Sequence, residues 1–411
     1  MDGITGLSIM FFGALSLVHF ARAHWFGVSP LIALLVFMFT SGVALNLPSS
    51  FLFLPSDGAY YSSWGENIAE GWVGGEQDPR PIWPGRGVLP LIIACFEFVS
   101  NGHFFSVVAL NSLATTYTFF LLKLSSKVAF RPQQLNWLPL VLFLSSLPVV
   151  LYGGGLLREP FFWLGSALTV LAVAFWSQRH FPQALISFVA GASVLLAIRA
   201  DLGVALIYAL LGATLLIQMV SSLISRNFLR ALFAGISIVA AAFTALPAID
   251  AVRPGLTAEA VEISVADLSR PGVRTAFSPI ETSEICEESI LFKIVCEAVV
   301  KLPSVLLGPF PSTVFPSWNQ VALSSSTIHF LIICALVIFS FRRSDLRNAR
   351  PVATILTAVA ITSLLIISTW LSNYGIVMRF RAITEVFLFP IALAALESFV
   401  ARARKPGSGW L

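Results

Sequence analysis

The chain has 411 residues, 57% of them hydrophobic and only 11% charged, with a mean hydropathy of +0.86. A soluble domain carries roughly 25% charged residues, so this composition excludes an ordinary soluble enzyme and puts most of the chain in a bilayer. The net charge of +4 and pI near 9 do not point to nucleic acid, because basic residues of a polytopic protein mostly mark its cytoplasmic loops.

In chain order, apolar runs predict spans at 5–21, 29–47, 103–122, 136–152, 159–177, 183–199, 202–221, 231–249, 324–341, 352–371 and 383–401. Each is close to the roughly 20 residues a helix needs to cross a bilayer. The expected fold is all-α: a single polytopic domain of about eleven transmembrane helices. The first run has no basic n-region and no clear small-residue cleavage site, so no removable signal is expected. Two shorter stretches, 88–99 and 305–318, read as interfacial or re-entrant; the second contains Pro309, Pro311 and Pro316. Gly308-Pro309-Phe310-Pro311 reads as a bent wall, which survives at membrane depth only beside protein or a wet cavity.

The charges test this threading. Arg22 follows the first span; Lys123, Lys127 and Arg131 follow the third; Arg179 follows the fifth; Arg226 and Arg230 follow the seventh. Arg342, Arg343, Arg347 and Arg350 follow the ninth, and Arg402, Arg404 and Lys405 come near the end of the chain. With both short stretches kept out of the count, all these groups share one side, predicted to be cytoplasmic. The N-terminus is then outside and the C-terminus inside a cell (inner or cytoplasmic) membrane, crossed many times. Loops 48–102 and 250–323 lie outside, the second carrying Glu281, Glu284, Glu287 and Glu288. Cys95 and Cys334 fall in apolar runs, whereas Cys286 and Cys296 share the second outer loop and are candidates for a disulfide.

The remaining polar residues collect at the outer mouth. Ser56-Asp57-Gly58-Ala59-Tyr60-Tyr61 precedes Trp64 and Trp72. Ser56 or Asp57 would cap a short helix over 59–70, with its aromatics at headgroup level. Capping and an aromatic belt account for much of this pattern; Asp57 is also a candidate to accept a proton from an attacking hydroxyl. Arg158-Glu159-Pro160 opens the fifth span, where Pro160 and Glu159 suit a helix start but Arg158 needs an anionic partner. Arg199 and Asp201 occupy the turn between the sixth and seventh spans, as a local ion pair or within reach of a lipid diphosphate. Arg379 and Arg381 lie outside, against the charge rule, after Asn373 and Gly375, which suit a tight turn. Guanidinium groups grip phosphate oxygens through paired hydrogen bonds. His103 and His329 stand isolated in the sequence and read as structural. No cofactor fingerprint, Walker loop or metal-ligand spacing is evident.

An outer-loop Asp followed by Tyr-Tyr and a short amphipathic helix resembles the GT-C superfamily of membrane glycosyltransferases. That superfamily includes protein O-mannosyltransferases and the aminoarabinose transferases of lipid A. The likeness continues in Arg86-Gly87-Val88-Leu89-Pro90, Leu157-Arg158-Glu159-Pro160 and Asn373-Tyr374-Gly375 with Met378-Arg379-Phe380-Arg381. It implies a sugar donor on polyprenyl phosphate, a glycan, lipid or protein acceptor, and Asp57 as catalytic base. Glu159 is then a second candidate catalytic carboxylate. Tyr60, Tyr61, Arg158, Arg199, Asp201, Arg379 and Arg381 are candidates for substrate binding. Some GT-C enzymes use a divalent cation, of which the sequence gives no independent sign. A polysaccharide polymerase or ligase of the O-antigen type, and a flippase for lipid-linked glycans, are the alternative expectations.

Overall fold

The computed structural model describes residues 2–22, 29–46, 55–74, 87–131, 137–252, 296, 302–303, 305–306, 318–344, 346–369 and 374–403. Every regular element among them is helical. In order these are α1 (Asp2–Arg22), α2 (Pro30–Asn46), α3 (Pro55–Gly74), α4 (Val88–Ser100), α5 (Phe104–Phe130), α6 (Leu138–Leu144), α7 (Leu147–Tyr152) and α8 (Glu159–Ser177). There follow α9 (Phe181–Ile224), α10 (Phe228–Val252), α11 (Trp318–Arg342), a 3₁₀ turn (Arg347–Ala349), α12 (Arg350–Thr369) and α13 (Tyr374–Ala403). Among the described residues, seven helices are long and apolar enough to cross a membrane. The chain is therefore an all-helical, multi-pass membrane protein by length and composition.

Three of the expected spans are joined or broken in ways that the apolar runs alone did not show. The run at 136–152 is broken into α6 and α7, because Pro148 offers no N–H and the backbone opens at Ser146 (φ −74°, ψ 100°). The runs at 183–199 and 202–221 are two arms of α9. They meet at Arg199, whose backbone is extended (φ −156°, ψ 82°). The chain folds back there: a Cβ placed on Gly203 would lie 2.9 Å from the Leu195 carbonyl carbon and oxygen. Only glycine permits that approach. Gly165 of α8 and Gly191 of α9 likewise face each other, each close to the carbonyl oxygen of the other, as small residues do where membrane helices pack tightly.

The core runs through α5, α8 and α13, with Phe119, Phe120, Trp163 and Phe387 almost fully buried. α3 buries an apolar stripe. Tyr61, Trp64, Ile68 and Ala69 recur at helical spacing and pack on Leu89, Ile93 and Ala94 of α4 in a separate small core. The short helix expected over 59–70 is longer, so Ser56 and Asp57 lie within its first turns rather than before it.

Two ends of the bundle can be told apart. At one end the Asp2 carboxylate accepts from the N–H groups of Phe105 and Ser106 and from the Ser106 hydroxyl, capping α5. At the other, Arg131 beyond α5 donates to Gln178 beyond α8, and Arg343 beyond α11 donates to Ser398 of α13. The N-terminus and the α5 start thus share a side, and these basic residues share the opposite one.

Candidate functional site

The loop between α7 and α8 is held by α5. Buried Asn111 donates to the Leu157 carbonyl at 3.0 Å and also to that of Gly155, and Thr115 donates to Gly153 at 2.8 Å. These bonds meet carbonyls that no helix satisfies, and they fix where α8 begins. Arg158 is the residue before α8, and Glu159 its first residue, where a carboxylate complements the helix dipole. The reversal in α9 brings Arg199 and Asp201 to the same place, and the second turn of α13 brings Arg379.

Arg158, Glu159, Phe162, Arg199, Arg379 and Ile383 line one small cavity of about 10 Å³, room for about one water. Arg379 lies 3.8 Å from the Glu159 carboxylate and Arg199 lies 3.6 Å from Asp201. All four side chains are mostly buried, with exposures of 13%, 11%, 18% and 9% in that order. The Arg158 guanidinium sits over the Tyr61 ring at 5.7 Å, and that of Arg379 over Tyr152 at 5.5 Å. Nη1 of Arg158 and Oε2 of Glu159 are buried with no hydrogen-bond partner among the described residues. Three guanidiniums against two carboxylates leave a local excess of positive charge, which suits an anion. Both carboxylates already face guanidiniums, so this donor set does not fit a divalent cation. No protein-family model, curated protein or solved structure matches the chain. The site therefore stands on its own geometry.

α3 reaches this cavity at its N-terminal end. A Cβ on Gly58 would sit 3.6 Å from Leu156, and Tyr61 lies against Arg158. Asp57 belongs to that first stretch of α3; its side chain is outside the described atoms. Tyr60 is half-exposed and packs on Tyr61 and Trp64, so it faces away from the arginines' cavity.

Arg381 does not join Arg379. Instead of following a turn at Asn373 and Gly375, it lies within α13, which begins at Tyr374. Residues two apart on a helix do not share a face. Arg381 is 1% exposed and donates to the Val305 carbonyl and the Thr327 hydroxyl, each at 2.6 Å. It ties the chain at Val305, in the segment 250–323, to α11 and α13. Of that segment's expected features, the Gly308–Pro311 wall and Cys286 lie outside the described residues; Cys296 is disulfide-bonded, while Cys95 and Cys334 are free.

Neither histidine is isolated. His329 bonds Glu385 at 3.1 Å and the Leu142 carbonyl at 3.1 Å, and Ser146 donates to the other Glu385 oxygen at 2.7 Å. This knot braces the α6–α7 break. His103 bonds Ser62 and Glu97. Tyr152, Asn111 and Thr115 went unread in the sequence. An amide inside an apolar run was the available signal for Asn111, because such a group must find a partner.

Proposed function

We propose that the protein is a membrane glycosyltransferase of the GT-C kind, with about eleven transmembrane helices. It transfers a sugar from a polyprenyl-phosphate donor to a glycan, lipid or protein acceptor on the extracytoplasmic side. The observation that carries this is the convergence of Arg158, Arg199 and Arg379 on one cavity beside the start of α3. The cavity as it stands has room for about one water; widened by a shift of these side chains, it lets the donor phosphate bridge the guanidiniums, whose charge stabilises it as it leaves. Asp57, on α3, draws the proton from the acceptor hydroxyl, which attacks the anomeric carbon with inversion. Glu159 holds Arg379 in place rather than exchanging protons, since it faces that guanidinium.

A polymerase or ligase would use the same arginines with two large lipid-linked substrates, and its product, a long chain, separates it from the transfer of one sugar. Transport is less well supported. Its sites sit near the midplane at broken helices, and the polar pair at this chain's break, His329 and Glu385, has all four polar atoms already engaged.

Mass analysis of the lipid-linked glycans that accumulate on deletion of the gene identifies the unused donor. Asp57→Asn abolishes transfer in a chain that still folds and still binds donor. Full transfer by that variant removes Asp57 from the reaction, and a deletion strain with no accumulated glycan removes the reading itself.

A further inference from the structure

A second polar constellation lies on the α3–α4–α5 side of the molecule, and nothing in the transfer reaction uses it. Ser62 of α3 places its Oγ 2.6 Å from Nε2 of His103, and Nδ1 of His103 lies 2.8 Å from Oε2 of Glu97, near the end of α4. An ionised carboxylate only accepts. Glu97 therefore keeps the ring proton on Nδ1 and leaves the Nε2 lone pair facing the Ser62 hydroxyl. The Ser62 hydroxyl also donates to Oε1 of Glu66, one turn along α3, at 3.0 Å, and that oxygen lies 4.0 Å from Nε2, so Glu66 and His103 share the one hydroxyl proton.

The fold holds this chain of groups from several directions. The small core of Tyr61, Trp64 and Ile68 against Leu89 and Ile93 fixes α3 on α4. Asn101, in a left-handed conformation (φ 50°), turns the chain from α4 toward His103, and Ser100 bonds across that turn to the Gly102 carbonyl at 2.7 Å. His103 occupies the position before α5, yet its side chain makes no capping bond there; Asp2 does that work. Capping therefore does not explain the histidine. It is buried to 8% exposure while Ser62 remains partly open.

We propose that Ser62, His103 and Glu97 are a nucleophile, base and orienting group that accept the acyl group of an ester carried by a membrane-surface amphiphile. The amphiphile is indicated by the triad's flanks: Phe98 and Val99 follow Glu97 in the chain, Phe104 and Phe105 follow His103, and all four are exposed. Ser62 Oγ bonds to the carbonyl carbon as its proton passes to His103 Nε2. The carbon–oxygen bond to the alcohol then breaks, and the alcohol leaves with that proton. Water repeats the sequence, releasing the carboxylic acid and restoring Ser62. This inference does not depend on the arginine cavity.

The test is a tagged fluorophosphonate applied to the full-length protein in detergent, with p-nitrophenyl octanoate as a second probe. Displacement of fluoride by Ser62 gives one covalent adduct, located on the Ser62 peptide by mass. Ser62→Ala abolishes it, Ser63→Ala keeps it, and His103→Gln and Glu97→Gln slow it, the histidine variant by on the order of 10²-fold or more. The ester gives a burst of nitrophenolate matching the adduct in amount. Thermal unfolding is followed for each variant, and a loss of labelling at unchanged melting temperature supports the triad. An unlabelled wild-type protein that melts cooperatively overturns the proposal, as does labelling that survives in Ser62→Ala.

Discussion

Arg379 and Arg381 are two residues apart, and the structure assigns them opposite work. Arg379→Ala removes one guanidinium from the cavity shared with Arg158 and Arg199. A hydrogen bond to a charged group is worth roughly 1.5–3 kcal/mol, so affinity for a prenyl phosphate falls by about 10- to 150-fold. Stability changes less, because the Glu159 carboxylate that Arg379 meets at 3.8 Å keeps Arg158 and Arg199 beside the same cavity. Arg381→Ala does the reverse. It removes two short charge-assisted bonds, to Val305 and Thr327, at about 1.5–3 kcal/mol each. Relief of the buried charge offsets part of this and leaves a loss of about 3 kcal/mol. The assay pairs titration of the protein with farnesyl phosphate in detergent and thermal unfolding of the same samples. Equal loss of affinity in both variants, with equal melting, refutes the division of labour and the phosphate role built on it.

Asn111→Ala removes the side-chain donor from the Leu157 and Gly155 carbonyls, the second of which keeps the Leu157 N–H, and at about 1 kcal/mol or more per lost bond it lowers the unfolding midpoint; because those carbonyls lead into Arg158, it also weakens phosphate binding, and a variant that melts lower yet binds as tightly as wild type refutes the link. Gly203→Ala forces a methyl to 2.9 Å from the Leu195 backbone, costing about 1–3 kcal/mol and spreading the arms of α9; unchanged melting and unchanged phosphate affinity would falsify the fold-back at Arg199.

The helices were legible because membrane spans are written in length and apolarity. Glu159–Ser177 matches its predicted run residue for residue. Which face of each helix turns inward was not legible, for a physical reason. Lipid is as apolar as a protein core, so a helix such as α2 or α13 carries no stripe to distinguish the two. α3 is less apolar than the spans and buries Tyr61, Trp64 and Ile68 at helical spacing, so its packing face was legible. The sharper marks inside the spans were the polar and small residues: Asn111, Gly165, Gly191, Gly203, His329 and Glu385 each sit at a contact that an apolar side chain could not make.

The arginines show where such reading runs out. Their gathering at one mouth followed from the charge rule, and Arg158, Arg199 and Arg379 do meet. The pairing of Arg379 with Arg381 rested on both falling outside against the charge rule, at the junction of spans expected at 352–371 and 383–401. The helix instead starts at Tyr374, and at about 100° per residue a separation of two carries the second guanidinium about 200° around the axis. Where a helix starts thus decides whether a second cation serves a ligand or locks a loop. In a bilayer no amphipathic pattern records that choice. It is recorded only in what waits on the far face, here the Val305 carbonyl and Thr327.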